Sequence, residues 1–162
     1  MLTVLYQSYL NRFDSAANQV DSFTQMVAGQ TQTVLTFFDA TARIESHSSQ
    51  PSVKVIYNGK YISRIIEGCN AVSVMILFVS FVVAFTGRWK QTLLYILLGL
   101  LLIHVLNIFR IALLSMALYY FPEQEHLLHA VIFPLVIYGV VFLLWVIWVN
   151  KFSLHADKTP AK

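Results

Sequence analysis

Three long apolar runs dominate this chain and limit what it can fold into. Asn70 to Phe85 carries no charge and ends at Thr86-Gly87. A second run starts at Thr92 and continues to Phe121, interrupted by Arg110. The third, Leu127 to Val149, has no formal charge and includes His129. A helix needs about 20 residues to cross the hydrocarbon core of a bilayer. The second and third runs meet that length, and the first reaches the lower limit when Cys69 and Gly87 are included. Composition agrees: 57% of the residues are hydrophobic and 12% charged, against about 25% charged in soluble domains. The expectation is an all-α integral membrane protein with three transmembrane helices.

Other classes fall away on simple grounds. A formal charge of +3, scattered along the chain, does not suggest nucleic acid as a partner. The single cysteine, Cys69, excludes an internal disulfide framework and any CxxC metal or redox site. His126 and His129 stand at i, i+3 with Glu123 and Glu125 nearby, but the spacing matches no metal-site signature such as HExxH.

Basic residues in short loops set the orientation of membrane helices. Arg88 and Lys90 fill the connection after the first run, and Lys151, Lys158 and Lys162 follow the third. The connection Tyr119–His126 carries Glu123 and Glu125 and no Lys or Arg. Residues 87–91 and the tail 151–162 are therefore expected in the cytoplasm, and residues 1–68 and the loop around Pro122 outside. Trp89, Trp145, Trp148, Tyr119 and Tyr120 sit near the expected interfaces, as an aromatic belt would. This divides the chain into an extracytoplasmic part (1–68), a transmembrane core (69–150) and a cytoplasmic tail (151–162).

The extracytoplasmic part is more polar, with balanced charges. Val20, Phe23, Val27, Val34, Leu35 and Phe38 recur at helical spacing, which predicts an amphipathic helix on the outer face. Such a helix either lies on the outer leaflet or packs on the spans, and packing is the commoner fate. Val53–Tyr57 and Lys60–Ile65 flank Asn58-Gly59, the pattern of a small β-hairpin with a type I′ turn. In that register Val55 faces Ile62 and Ile56 faces Tyr61. Export of residues 1–68 needs a signal, yet Met1–Phe13 is neither a full span nor a cleavable signal peptide. Met1–Leu10 is expected to be the outer end of a truncated N-terminal fourth membrane helix.

Arg110 is costly where it stands, since a charge at the bilayer centre costs at least about 2.5–3.5 kcal/mol. About 20 residues from Thr92 place it within a turn of the outer boundary, where it could simply anchor the helix by snorkelling. Asn107, one turn earlier on the same face, can hold its guanidinium. Cys69 opens the first span on its outer side, and His126 and His129 open the third. A lone cysteine is usually a small buried hydrophobe, and a lone histidine usually a packing residue. Here, however, a thiol, an arginine and two histidines share one membrane face, and a neighbouring cation and a base are what activate a thiol as a nucleophile.

At these residues the chain resembles the exosortase/archaeosortase family of membrane-embedded cysteine transpeptidases. Glu67-Gly68-Cys69-Asn70-Ala71 is similar to the family's cysteine motif, and Asn107-Ile108-Phe109-Arg110-Ile111 to its Asn-x-x-Arg-[Val/Ile]. His126-Leu127-Leu128-His129-Ala130 is similar to its His-x-x-x-Gly, with Ala130 at the glycine position. The compact exosortase subgroup of Bacteroidetes looks most alike.

The resemblance implies a protease or transpeptidase of the cell (inner) membrane, multi-pass, with its active site on the extracytoplasmic face. It would cleave a C-terminal sorting signal of an exported protein through an acyl-thioester and pass the product to water or an envelope acceptor. Cys69 would be the nucleophile, Arg110 the oxyanion or thiolate partner and His126 the proton shuttle, with His129 as substitute or supporting residue. No cofactor is implied. The partners would be the exported protein, membrane lipid and a companion small membrane protein. The alternative from another class is a non-enzymatic membrane subunit that binds and positions an exported protein, with Cys69 packing and Arg110 pairing with a neighbouring helix.

Overall fold

A computed structural model describes residues 20–38, 41–47, 50–85 and 87–152. The expected truncated helix at Met1–Leu10 and the lysines at 158 and 162 lie outside the described residues. The chain is mostly helical and carries one small sheet, so the expectation of an all-α protein is corrected in one respect: the hairpin gains a third strand. The order is α1 (Ser22–Phe37), β1 (Ala42–Ser46), β2 (Val53–Tyr57), β3 (Lys60–Ile65), a 3-10 turn (Glu67–Cys69), α2 (Val72–Ala84) and α3 (Trp89–Tyr120). Short helical turns at Pro122–Gln124 and Glu125–Leu127 and a π-helical turn at Leu128–Ile132 then lead into α4 (Phe133–Lys151). The chain forms two compact units that interleave along the sequence.

One unit holds the described residues up to Asn70 together with Asn107–Phe133. Asp21 starts α1 by accepting from the Thr24 N–H at 2.9 Å, which satisfies one of the free donors of a helix start. The buried stripe of α1 is Thr24, Val27, Ala28, Thr31 and Leu35. Phe38, expected on that stripe, is 53% exposed, and two threonines are buried in its stead. Thr31 is tolerated there because its hydroxyl donates to the Val27 carbonyl at 2.8 Å. This stripe packs on the sheet residues Val53, Val55, Tyr57 and Ile65 and on Ile111 and Ala112 of α3, forming one core.

The sheet has the order β1-β2-β3, all antiparallel. β2 and β3 have the bounds expected from the sequence, and Asn58 and Gly59 take φ of 49° and 76°, as a type I′ turn requires. The register follows the expectation only next to the turn. Ile56 pairs with Tyr61, but Val55 pairs with Ser63, because a bulge lies between Val55 and Ile56 in the ladder. Ile62 is the extra residue, and the expected Val55–Ile62 pair is thereby lost. β1 escaped notice because Ala-Arg-Ile-Glu-Ser has few β-branched or aromatic residues. It is tied in by Asn58, whose side-chain oxygen accepts from the Thr41 N–H at 3.3 Å and from its hydroxyl at 3.2 Å.

The other unit comprises Ala71–Leu106 and the described residues from Pro134 onward. Its core is Ala71, Phe78, Val82, Ile103, Val141 and Trp148. Gly99 of α3 is required by close approach, since a Cβ there would stand 2.3 Å from the Phe78 ring. Two aromatic side chains reach main-chain partners: Trp148 Nε1 donates to the Phe85 carbonyl at 2.9 Å and Tyr95 OH to the Leu144 carbonyl at 2.7 Å. Outside this core, Leu94, Leu97, Leu98 and Leu101 of α3 and Leu135, Phe142 and Leu143 of α4 are all exposed. An apolar surface on that scale belongs in lipid rather than water.

Two helical stretches, Trp89–Tyr120 and Pro122–Lys151, are long and apolar enough to cross a membrane. The third apolar segment, α2, has 13 residues, about 20 Å of helix against a hydrocarbon core of about 30 Å. It is shorter than the apolar run because the run's first residues are used otherwise. Cys69 closes the 3-10 turn with its N–H on the Ile66 carbonyl at 2.8 Å. Asn70, buried, donates to the Thr24 hydroxyl at 3.1 Å. Ala71 then takes a left-handed φ of 61°, a conformation that costs a residue with a Cβ about 1–2 kcal/mol.

Candidate active site

Cys69 sits at the end of the strand–turn segment and is half-buried. Its carbonyl accepts from Asn107 Nδ2 at 2.8 Å. Asn107 is fully buried on α3, and its Oδ1 accepts from Arg110 Nη1 at 3.3 Å. A single amide therefore links the cysteine's own peptide to the guanidinium. The i, i+3 spacing on α3 makes the second bond and Asn107's burial aims the first. Arg110 Nε is buried and has no hydrogen-bond acceptor among the described residues. An unpaired buried donor on a cation is costly, so this Nε–H is open to an acceptor that the described residues do not supply.

Cys69 and Arg110 line a cleft of about 560 Å³ together with Glu125 and His129. The sequence expectations separate here. Cys69, Arg110 and His129 share the cleft wall, with Asn107 behind it; His126 is exposed and is not among the cleft's lining residues. The reason is local. His126 belongs to the regular turn Glu125–Leu127, whereas His129 lies in the π-helical turn Leu128–Ile132, where the Phe133 N–H donates to the Leu128 carbonyl five residues back. Pro134 follows directly. It has no N–H for the carbonyl one turn earlier, and its ring crowds that carbonyl, a common cause of disturbed helix registers. Leu127 and Leu128, between the two histidines, keep ordinary α-helical backbone angles. Glu125 and His129, at i and i+4, therefore share the cleft wall, while His126, the next residue round the turn from Glu125, is left off it.

Sequence reasoning missed two contributors. Glu125 was read as a loop charge, yet it lies on the cleft wall beside the histidine turn; its place four residues before His129 was the available signal. Ser63 and Ser115 face each other at 3.1 Å and join β3 to α3. Because the Ser115 hydroxyl also donates to the Ile111 carbonyl at 2.9 Å, Ser63 is the donor between them. Nothing in the sequence marks two isolated serines as partners.

The arrangement offers a thiol, a cation with a spare buried donor and an imidazole lining one cleft. Among the described residues no cluster of three or more His, Cys, Asp or Glu could hold a metal ion. Chemically, a thiol, a cationic donor and an imidazole are groups that acyl transfer can use as nucleophile, oxyanion donor and proton carrier. No curated protein and no solved structure matches the chain. The family model of the transmembrane exosortases matches residues 4–150. With a match over nearly the whole chain, the protein belongs to the transmembrane exosortase family.

Proposed function

We propose that this exosortase is a membrane-embedded cysteine protease or transpeptidase that cleaves a C-terminal sorting signal from exported proteins. The observation that carries the reading is the Cys69–Asn107–Arg110 chain of hydrogen bonds opening on a cleft that also holds His129. Cys69 Sγ attacks the scissile carbonyl carbon, and the oxyanion that forms takes the free donors of Arg110. Collapse of the tetrahedral intermediate breaks the C–N bond, protonates the leaving amine and leaves an acyl-thioester on Cys69. Water or an amine of the envelope then attacks the thioester and regenerates the thiol.

A histidine carries the proton in both directions. Motif spacing points to His126; we assign the role to His129, because proton transfer needs a ring within hydrogen-bond reach of the reacting atoms and His129 is the one on the cleft wall. The membrane arrangement belongs to the same proposal. α2, α3 and α4 form three spans of the inner membrane, and Arg88, Lys90 and Lys151 lie inside. Residues 1–68 and the cleft lie outside, and 151–162 form a cytoplasmic tail.

One observation favours the second reading, a binding subunit without catalysis: Cys69 also packs against the core of its unit, as a structural cysteine does. Replacement separates the two. In cells carrying Cys69→Ala, exported substrates should accumulate in membrane-tethered, uncleaved form; normal release with Cys69→Ala would end the enzyme reading. A membrane-impermeant maleimide should modify Cys69 in intact spheroplasts, which a cytoplasmic or sealed thiol would resist.

A further inference from the structure

One wall of the cleft is not accounted for by catalysis. Tyr61 to Ile65 of β3, and Ile66 after it, line the cleft without a gap. Successive side chains of a strand point to opposite faces, so a cleft over one face would meet every second residue. The bulge at Ile62 breaks the alternation only locally. Beyond it Ser63, Arg64, Ile65 and Ile66 still line the cleft in succession, so the cleft follows the strand's edge there and meets its main chain. β3 is an edge strand: it pairs with β2, and among the described residues no strand lies on its other side. Along such an edge, alternate residues turn their N–H and C=O groups outward.

The cleft is also lined by the apolar Ile111, Leu114 and Leu118 of α3, which the 3-and-4 spacing puts on one helix face. The direction of the cleft follows from two contacts. Ser63 meets Ser115, and the carbonyl of Cys69 meets Asn107, so β3 and α3 run in opposite directions along it. One end lies at Tyr61 and Leu118, the other at Cys69 and Arg110. Beyond the bulge at Ile62, the edge from Ser63 to Ile66 is about 13 Å long at roughly 3.3 Å per residue.

We infer that the polypeptide cleaved by Cys69 binds as an added strand on the free edge of β3. Its main chain pairs with β3, and alternate side chains lie on Ile111, Leu114 and Leu118. The inference rests on the reading of Cys69 as nucleophile and adds how the substrate is held. A helical substrate could not use this edge, because its own main-chain groups are already bonded within the helix. An extended one can, and it brings a scissile bond to the thiol at the cleft's end. Recognition of this kind draws affinity from main-chain bonds and selectivity from alternate side chains. The substrate class is therefore an extended segment with apolar residues at every second position.

The test uses the full-length protein in membranes and an acetylated pentapeptide of alternating valine and threonine ending in a vinyl sulfone, which alkylates thiols. A series of these peptides carries a single N-methyl group at each position in turn, and alkylation of Cys69 is followed by mass spectrometry. N-Methylation should slow alkylation about five- to tenfold at every second position and leave the intervening ones near the parent rate, since one main-chain bond is worth about that factor. N-Ethylmaleimide, which needs no groove, reports the thiol itself. Alkylation with no alternation along the series would overturn strand addition while leaving the nucleophile intact, as would reaction with the maleimide and with none of the peptides. A Cys69 inert to both reagents would remove the nucleophile reading, and strand addition with it.

Discussion

Arg110 and Asn107 act as a pair, and the chemistry of each can be isolated by substitution. Arg110→Lys keeps the charge but loses the planar set of donors, so a site that uses both Nε and Nη groups should fail with Lys nearly as with Ala. If the arginine only anchors its helix, Lys should restore function, because either side chain can snorkel; release of exported substrate from cells distinguishes the two. Asn107→Asp keeps the acceptor for Arg110 and removes the donor to the Cys69 carbonyl. An acceptor left unsatisfied in a buried place costs about 1–3 kcal/mol, so Asn107→Asp should slow processing about tenfold or more, with the amount of folded protein followed alongside by immunoblot. For the histidines, glutamine keeps a hydrogen-bonding shape but carries no proton. His129→Gln should lower the rate by roughly 10²–10⁴-fold, the usual worth of a general acid–base, and His126→Gln far less. The reverse ranking would return the role to His126, as the motif spacing suggests. Cys69, Asn107 and Arg110 stood out in the sequence because a thiol, an amide and a cation are rare in apolar runs. The choice between histidines was not visible, because both open the same helix and only the cleft, built by elements distant in sequence, tells them apart.

The hairpin is the element that delivers the chain to Cys69, and its turn rests on two residues with positive φ. Changing Asn58 and Gly59 together to Val would oppose that conformation with two β-branched side chains. It would also remove the Asn58 side-chain bonds to Thr41 that hold β1. The double variant should lose both processing and rapid Cys69 alkylation; normal behaviour in both assays would show that the sheet does not support the site. In the other unit, Gly99→Ala forces a methyl group into the Phe78 ring. Overpacking of that kind costs about 1–3 kcal/mol, seen as a lowered Tm of the purified protein in detergent. The limits of reading elements from sequence follow the same physics. Strong local signals, such as Asn-Gly between two β-branched runs or a long apolar helix, gave correct elements with near-correct ends. β1, the bulge at Ile62 and the buried threonines of α1 were hidden, since each is decided by partners distant in sequence. The early start assumed for the first apolar segment failed for that reason too: Asn70 is apolar neither in kind nor in use, being claimed by Thr24.

At the scale of the whole molecule, the candidate site belongs entirely to the unit that contains the sheet, while the long lipid-compatible surfaces belong to α3 and α4. α3 takes part in both. Its 32 residues extend about 48 Å, more than the roughly 30 Å of a hydrocarbon core. Counted along the sequence, about 20 residues from Trp89 suffice for that core, which would put the far boundary of the proposed span near residue 109, beside Asn107 and Arg110 in the chain. Topology is then decisive for the mechanism. Arg88 and Lys90 precede α3, whereas the connection after it carries Glu123 and Glu125, so the two ends should lie in opposite compartments. Reporter fusions test this directly: a periplasmic phosphatase joined after Glu123 should be active and one joined after Gly87 inactive, with a cytoplasmic reporter giving the opposite pair. If both positions report the same compartment, α3 does not span, and the cleft cannot meet exported proteins at the outer surface. If the two positions report in reverse, the cleft faces the cytoplasm, and a maleimide that cannot cross the membrane should leave Cys69 unmodified.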